Sequence, residues 1–196
     1  MTAREIVRMV LVLTIVTGIW GGLLSLVKIA TEDQIQYQRI KNIKAPALKQ
    51  ALTVEYDNDP IKDRKTIVIG TDKKGKPIER AVFPAKQNGQ IVAVGFEAYG
   101  VGYEGNIGVM LTILVEEDTL GSIAVTTHTE TPGVGTIAFN NADFMNQFKN
   151  KSLDTNLSPG GGNVDAVTGA TYTANGVARA VQKGIDLYKK HKDEIL

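Results

Sequence analysis

One long apolar stretch lies near the start of the chain. Residues 9–27, MVLVLTIVTGIWGGLLSLV, carry no charge and lie between Arg8 and Lys28. A helix of that length spans about 28 Å, close to the ~30 Å hydrocarbon core of a bilayer. The stretch therefore predicts one transmembrane helix. The alternative is a cleaved signal peptide, whose apolar region is typically shorter, at ~7–15 residues.

The residues in and around this helix predict its orientation and its surroundings. Arg4 and Arg8 precede it, and short positively charged flanks stay in the cytoplasm. We therefore expect a single pass through the cell (inner) membrane, with a cytoplasmic N-terminus and an extracytoplasmic domain. Small residues at every fourth position allow another helix to approach closely, which predicts a membrane partner. They are Thr14, Gly18 and Gly22 on one ridge and Thr17, Gly21 and Ser25 on the next.

The rest of the chain divides where strand patterns begin. Residues 31–60 hold only short helical patterns, one of which starts at Pro46. We expect residues 1–30 to form the cytoplasmic N-terminus and the transmembrane helix. Residues 31–60 are then a connector, and residues 61–196 form the extracytoplasmic domain.

Within this domain, short β patterns come first and helical patterns follow. Asn88-Gly89 is typical of a two-residue hairpin turn, and the last helical pattern places Val177, Val181 and Tyr188 on one apolar face. Strands before helices indicate an α+β fold, with a curved antiparallel sheet and C-terminal helices. The predicted strands cover residues 66–70, 80–83, 90–99, 109–115 and 122–128, and the first predicted helix covers residues 137–150.

The composition excludes several kinds of site. The net charge of +1 is too low for a strongly basic nucleic-acid binder, so no nucleic-acid partner is expected. The absence of cysteine excludes disulfides and cysteine-ligated zinc or iron–sulfur centres. Because His128 and His191 are the two histidines of the chain, no metal site is expected.

The first candidate for chemistry is the segment HTETPGVG, residues 128–135. Pro132-Gly133 is typical of a type II turn. Because the turn follows a predicted strand, it can present Glu130, Thr131 and free backbone N–H groups at one place. A plain connecting turn is the alternative, and we interpret His128 as a strand-end residue rather than a ligand.

The second candidate is DAVTGAT, residues 165–171, which leads into the last predicted helix and follows the glycines at 160–162. Hydroxyl groups and glycine at a helix N-terminus form an anion site, because the first N–H groups have no intrahelical partner. A phosphate group fits such a site. The alternative is an ordinary helix N-cap formed by Thr168 or Thr171.

Together the two segments resemble the FMN-binding domain found in the Rnf G subunit and in the smaller flavin-carrying subunit, NqrC, of sodium-pumping NADH:quinone reductase. The family pattern is H-x-E-T-P-G-x-G followed by Asp-x-x-Ser/Thr-Gly-Ala-Thr, and both parts occur here in the family order. The single N-terminal span also matches, and the chain length favours the Rnf protein. The departures are small, since Val134 replaces a usual leucine and Thr168 a usual serine.

The resemblance implies a flavoprotein in which FMN is joined covalently, through its phosphate, to Thr171. It also implies a separate flavin transferase that uses FAD and Mg²⁺ during maturation. The motif read by that transferase comprises Asp165, Thr168, Gly169, Ala170 and Thr171. The residues expected to bind FMN are Glu130, Thr131, Val134, Gly135, Thr168, Gly169, Ala170 and Tyr103, with Tyr99 as a weaker candidate.

The function implied by the resemblance is electron transfer in a redox-driven, ion-translocating ferredoxin:NAD⁺ oxidoreductase, the Rnf complex. Its partners would be the other membrane and redox subunits. No catalytic residue and no independent substrate chemistry are expected in this chain, because the flavin carries the electrons. Two alternatives stay open: an NqrC-like part of a sodium-pumping quinone reductase, and a non-redox membrane-anchored sensor or scaffold.

Overall fold

The N-terminal unit of the structure, Met1–Lys41, consists mainly of helix α1 (Ala3–Arg39). None of the residues of α1 is buried, and by its length and composition the helix can cross a membrane. It contains the predicted span 9–27 and extends beyond it at both ends. This computed structural model describes residues 2–72, 74–157 and 163–196, so the glycines at 160–162 lie outside the described residues.

The second unit, Asn42–Leu196, begins with a short helical segment. A π-helix, Ile40–Lys44, is followed directly by α2 (Ala45–Ala51), which has Pro46 in its first turn. Proline is tolerated there because an N–H group in the first turn has no intrahelical partner. One face of α2 is buried, and this face carries Leu48.

The centre of this unit is an open six-stranded sheet whose strands follow one another in chain order. Every pair of neighbouring strands is antiparallel, as predicted. The strands are β1 (Lys65–Thr71), β2 (Pro77–Gln87), β3 (Gln90–Val101), β4 (Asn106–Leu114), β5 (Thr119–Thr127) and β6 (Lys151–Ser152). Each of the five predicted strands overlaps one of β1 to β5. The sixth was not predicted, because two residues are too few to show an alternating pattern.

The predicted hairpin at Asn88-Gly89 joins β2 to β3. Both residues have positive φ, 51° and 81°. A type I′ turn requires positive φ at both central residues, and asparagine followed by glycine tolerates this best. The turn fixes the register of the two longest strands, in which Gln87 pairs with Gln90.

The two faces of the sheet pack against different helices. The long last helix, α5 (Thr171–Ile195), covers one face, where it buries its predicted apolar residues together with Phe96 and Leu111. On the other face, Leu48 of α2 packs with Phe83 and Met110. The sheet therefore holds the start of α5 against the ends of β3 and β4.

The single helix expected over residues 137–150 is wrong. The structure has two short helices, α3 (Ile137–Asn140) and α4 (Ala142–Asn146), separated by Asn141. Asn141 has an extended backbone, and its side chain accepts a hydrogen bond from the N–H of Phe144 at 3.0 Å. Asparagine is a strong N-cap residue, and this cap starts a new helix where the apolar spacing alone suggested a continuous one.

Candidate cofactor site

Thr171 is the first residue of α5, and its side chain is exposed. Ala170 occupies the N-cap position, so neither Thr168 nor Thr171 caps the helix. Among the described residues, the Thr171 hydroxyl has no hydrogen-bonding partner. The interpretation of these threonines as an ordinary cap is therefore wrong, and Thr171 presents a free hydroxyl group.

The chain reaches Thr171 through a tight turn. The N–H of Ala170 donates to the carbonyl of Val167 at 3.0 Å, and Gly169 has φ +82°. An L-residue with a side chain is strained at that φ, whereas glycine is not. Gly169 therefore allows the sharp change of direction that brings Thr171 beside the rest of the site.

A cavity of about 270 Å³ opens beside Thr171. It brings together residues of both sequence motifs and of the loop between β3 and β4. Its lining residues are Tyr103, Glu130, Thr131, Val134, Gly135, Gly169, Ala170, Thr171, Tyr172 and Thr173. Seven of the eight predicted FMN contacts are in this lining, together with Thr171; Thr168 is not.

Glu130 joins three parts of the cavity wall. Its side chain is 3% exposed, and Oε2 accepts a hydrogen bond from the Thr173 hydroxyl at 2.5 Å. Oε1 accepts from the backbone N–H of Glu104, in the loop between β3 and β4, at 3.1 Å. Because a buried carboxylate is costly without partners, these bonds fix the turn after β5, the loop after β3 and the first turn of α5 relative to one another.

Glycines allow these segments to pack closely. A Cβ atom at Gly135 would lie 2.5 Å from Oε2 of Glu130, and one at Gly102 would collide with the same carboxylate. Where α5 crosses the end of β3, a Cβ at Gly176 would lie 2.9 Å from Cα of Gly102. The high glycine content near the site is therefore explained by close contact between backbones.

The turn Thr131–Gly135 is held by its own backbone and by a neighbouring hydroxyl. The N–H groups of Val134 and Gly135 donate to the carbonyl of Thr131, at 3.2 and 3.0 Å. Gly133 has φ +75°, and its N–H donates to the Thr136 hydroxyl at 2.8 Å. The exposed side chain of Val134 is thereby presented at the mouth of the cavity.

Comparison with known proteins identifies the family. The family model for the FMN-binding domain matches residues 102–186, which include both motifs and every residue that lines the cavity. A Cereibacter sphaeroides protein, named as the G subunit of an ion-translocating oxidoreductase complex, is 30% identical over 93% of this chain and 87% of its own length. This chain belongs to the same G-subunit family. A family member from Methanosarcina acetivorans is 26% identical, over 94% of this chain and 95% of its own.

The fold of this G-subunit family member is similar to that of solved NqrC structures. The crystal structure of Shewanella oneidensis NqrC matches with a TM-score of 0.60 and 18% identity, over 82% of this chain and 98% of that one. The corresponding protein of the Na⁺-translocating NADH-quinone reductase from Parabacteroides distasonis matches with a TM-score of 0.56 and 19% identity, over 80% and 94%. At this identity, the likeness establishes a shared fold.

Two exposed tyrosines stand at the mouth of the cavity of this family member. Tyr103 is 74% exposed and Tyr172 is 68% exposed, with ring centroids 6.0 Å apart and planes tilted by 55°. Such a tilted pair is a favourable aromatic contact. Tyr172 and the buried Thr173 were not predicted as site residues, although both directly follow the attachment motif in the sequence.

The remaining predicted residues of the motif lie outside the cavity. Asp165 and Thr168 do not line it, and the side chain of Asp165 is exposed. Gln147 binds the backbone of Asp165, accepting from its N–H at 2.8 Å and donating to its carbonyl. The carboxylate of Asp165 therefore projects from a segment whose backbone is held in place.

Tyr99 belongs to a different cluster, so the weaker expectation that it contacts the cofactor is not supported. Its hydroxyl donates to Oε2 of buried Glu97 at 2.6 Å, and the guanidinium of Arg80 lies 4.8 Å from its ring centroid. Glu97 also accepts from the Thr126 hydroxyl and lies 3.1 Å from Nζ of Lys44. Burial raises the pKa of Glu97, but these hydrogen bonds and the Lys44 charge lower it more, so the net pKa lies below its ordinary value.

His128 follows the end of β5 and lies on the ring of Phe139, with centroids 4.7 Å apart. In the part of the chain that the structure describes, no group of three histidine, aspartate or glutamate side chains is placed to hold a metal ion. The cavity beside Thr171 is therefore the candidate site, and its residues fit an organic cofactor with a phosphate group.

Proposed function

We propose that this chain is a membrane-anchored electron-transfer subunit that carries FMN as a phosphoester on Thr171. The observation that carries the proposal is the position of Thr171. It begins α5 with an exposed, unbonded hydroxyl at the edge of a cavity that both motifs line. FMN, when bound, supplies one- and two-electron redox chemistry, and the protein supplies position and environment.

The surroundings of Thr171 suit a phosphate group. The first intrahelical bond of α5 runs from the N–H of Ala174 to the carbonyl of Ala170 at 2.9 Å, so the N–H groups of residues 171–173 come before it. Such N–H groups and the helix dipole favour an anion. Gly169 and Ala170 leave room for the ribityl chain, while Val134 and Tyr103 offer apolar surface to the isoalloxazine ring.

A separate flavin transferase makes the bond in this proposal. A threonine hydroxyl is a weak nucleophile without a base or a metal ion, and in the described structure no base is bonded to the Thr171 hydroxyl. With FAD as donor, Oγ1 of Thr171 bonds to the phosphorus of the FMN part, AMP leaves, and a base of the transferase takes the hydroxyl proton. Asp165, exposed and outside the cavity, is accessible to such an enzyme, and Thr168 also lies outside the cavity.

The chain works in this proposal as one subunit of an Rnf-type ion-translocating complex that moves electrons between ferredoxin and NAD⁺. Support comes from the similarity to G-subunit proteins over nearly the whole chain. The apolar α1 anchors it in the cell (inner) membrane, with the N-terminus in the cytoplasm and the FMN domain outside. The ridges of small residues on α1 provide a surface for neighbouring membrane subunits.

Intact mass spectrometry tests the covalent bond. The full chain is produced with an active flavin transferase and Mg²⁺, and in parallel without the transferase. We expect an added mass of roughly 438 Da, which is one FMN less water, only when the transferase is present. Thr171→Ala should remain unmodified.

The matched control is Thr168→Ser, which restores the usual family residue and keeps a hydroxyl in the motif. This variant should gain the same mass as the wild type. An unmodified wild type in the presence of active transferase would contradict covalent FMN and favour a non-redox anchored module. Modified Thr171→Ala protein would place the bond at another residue.

A further inference from the structure

The outer edge of β5 is open over most of its length. β6 pairs only with Thr119 and Leu120, so no strand in the described part of the chain pairs with residues 121–127 on that side. Among the described residues, Ser122 alone in this segment makes a backbone bond outside the β4 ladder, with the Thr112 hydroxyl. Alternate residues of an antiparallel strand direct both N–H and C=O away from their neighbour. β5 therefore has free donors and acceptors along this edge.

A groove of about 760 Å³ runs along this open edge. Gln50 of α2 lies on one side of it, and Phe139 of α3 and Met145 of α4 lie on the other. Ser122 and Ile123 line the groove but are only 5% and 3% exposed. The free backbone groups are thus recessed between helical walls.

This edge lacks the features by which proteins usually prevent strand addition. Charged side chains, proline and bulges protect sheet edges. β1, the opposite edge of the sheet, carries Lys65 and has a register shift between Val68 and Gly70. β5 has neither a charged residue nor a proline over Thr119–Thr127. The two edges therefore differ in their readiness to pair with another strand.

The side chains of the groove match a polypeptide. Its polar lining consists mainly of amides and hydroxyls, such as Asn140, Asn146 and Thr126, which donate to and accept from peptide groups. Lys149 lines one end, and none of the groove's described lining residues is an aspartate or a glutamate. The groove thus accommodates an uncharged or acidic segment.

We propose that this groove binds an extended segment of another subunit, which pairs with β5 as an added strand and carries hydroxyl or carboxylate side chains toward Lys149. Strand addition gives affinity through main-chain hydrogen bonds at a regular spacing, which only a polypeptide supplies along the whole edge. A second copy of this chain does not fit, because the helical walls keep two sheet edges from approaching to the ~4.8 Å spacing of paired strands. That the partner belongs to the same complex rests on the proposed function.

Amide hydrogen exchange tests this pairing directly. The assembled complex, solubilised in detergent, is compared with this chain purified alone. We expect the amides of residues 121–127 that face the groove to exchange slower by about tenfold or more in the complex. The β1 edge, Lys65–Thr71, is the matched control and should exchange equally in both samples. Equal exchange of residues 121–127 in both samples would overturn the proposal.

Cysteine accessibility gives an independent measurement, because the wild-type chain has no cysteine. Asn146→Cys places a single thiol in the groove, and Lys183→Cys places one on the exposed side of α5. We expect alkylation in the complex to be slowed about tenfold at position 146 relative to the chain alone, and unchanged at 183. Protection at 146 in the purified chain that increases with its concentration would instead indicate a second copy and overturn the proposal.

The intact mass of the same two variants separates this proposal from the proposed function. FMN attachment with no protection of the groove in the assembled complex contradicts strand addition alone. Protection of the groove without added FMN mass supports strand addition and contradicts the covalent cofactor. A bulky variant, Asn146→Trp, should reduce recovery of this chain with the other subunits, whereas Lys183→Trp should not.

Discussion

Two threonines in the first turn of α5 have opposite environments. Thr171 is exposed and its hydroxyl is unbonded among the described residues, whereas Thr173 is 1% exposed and donates to Glu130 at 2.5 Å. The motif in the sequence points to Thr171 alone. Thr173 matters because of a carboxylate 43 positions earlier in the chain, and only the fold brings the two together.

This contrast leads to a matched pair of substitutions. Thr173→Val keeps the shape of the side chain but leaves a buried Glu130 oxygen without its donor, which should lower the free energy of unfolding by about 1–3 kcal/mol. Thr171→Val removes a solvated hydroxyl and should change it by less than about 0.5 kcal/mol. Urea unfolding of the FMN-free chain measures both, and equal losses for the two variants would contradict the assigned roles.

The sequence predicted which residues share the cavity better than the reason for their positions. The turn motif and the attachment motif placed Val134, Gly135 and Ala170 beside Thr171, and all four line one cavity. Thr168 is the exception among the expected contacts, because the turn at Gly169 leaves it outside the lining. A linear motif specifies neighbours in the chain, but the direction of each side chain depends on backbone angles.

At the scale of whole elements, a buried ion pair attaches the segment after α1 to the sheet. Lys44 ends the π-helix, and its Nζ lies 3.1 Å from Oε2 of Glu97 in β3. The apolar spacing that predicts strands gives no sign of a charged residue at this buried position. The partners of Glu97 come from three separate segments, so no local pattern foretells the cluster.

Removing the cation should be costly. Lys44→Met leaves Glu97, which is 3% exposed, without its charged partner, and we expect a loss of about 3 kcal/mol in the free energy of unfolding. Lys86→Met is the control, because Lys86 pairs with Asp63 at 3.2 Å near the surface, where such pairs contribute about 0–1 kcal/mol. Denaturant unfolding at pH 7 compares the two, and similar small losses would show that the buried pair does not stabilise the fold.

The same carboxylate predicts a pH dependence. The folded-state pKa of Glu97 lies below its ordinary value of 4.5, so the unfolded chain takes up the proton first as pH falls. The stability contributed by ionised Glu97 is therefore complete above pH 4.5 and declines as pH falls through the folded-state pKa. Glu97→Gln should be less stable at pH 7 and should lose less stability between neutral and acidic pH than the wild type. Parallel pH profiles of the two proteins would contradict this.

At the scale of the whole molecule, the order of elements was the most predictable feature. The apolar stretch, the succession of β patterns and the final amphipathic helix each correspond to a described element, because each is long enough to show its own period. The short elements were not predictable in this way. Asn141 divides one expected helix in two, and β6 is recognisable only by its pairing with β5.

The proposed orientation in the membrane is testable in intact cells. Because the wild-type chain has no cysteine, single thiols can be introduced without background labelling. Lys190→Cys, on the exposed side of α5, should react with a membrane-impermeant maleimide before the cytoplasmic membrane is broken. Ala3→Cys should react only after lysis. The reverse pattern would place the FMN domain in the cytoplasm.

One short turn borders two separate spaces. Thr131, Val134 and Gly135 line the cavity beside Thr171, while Pro132 and Thr136 line the groove along β5. The turn is thin, since its backbone bonds run from Val134 and Gly135 back to Thr131. Displacement of this turn from one side is therefore felt on the other. A flavin held at Thr171 would thus act as an optical reporter, whose absorbance and emission register what occupies the far side of the turn.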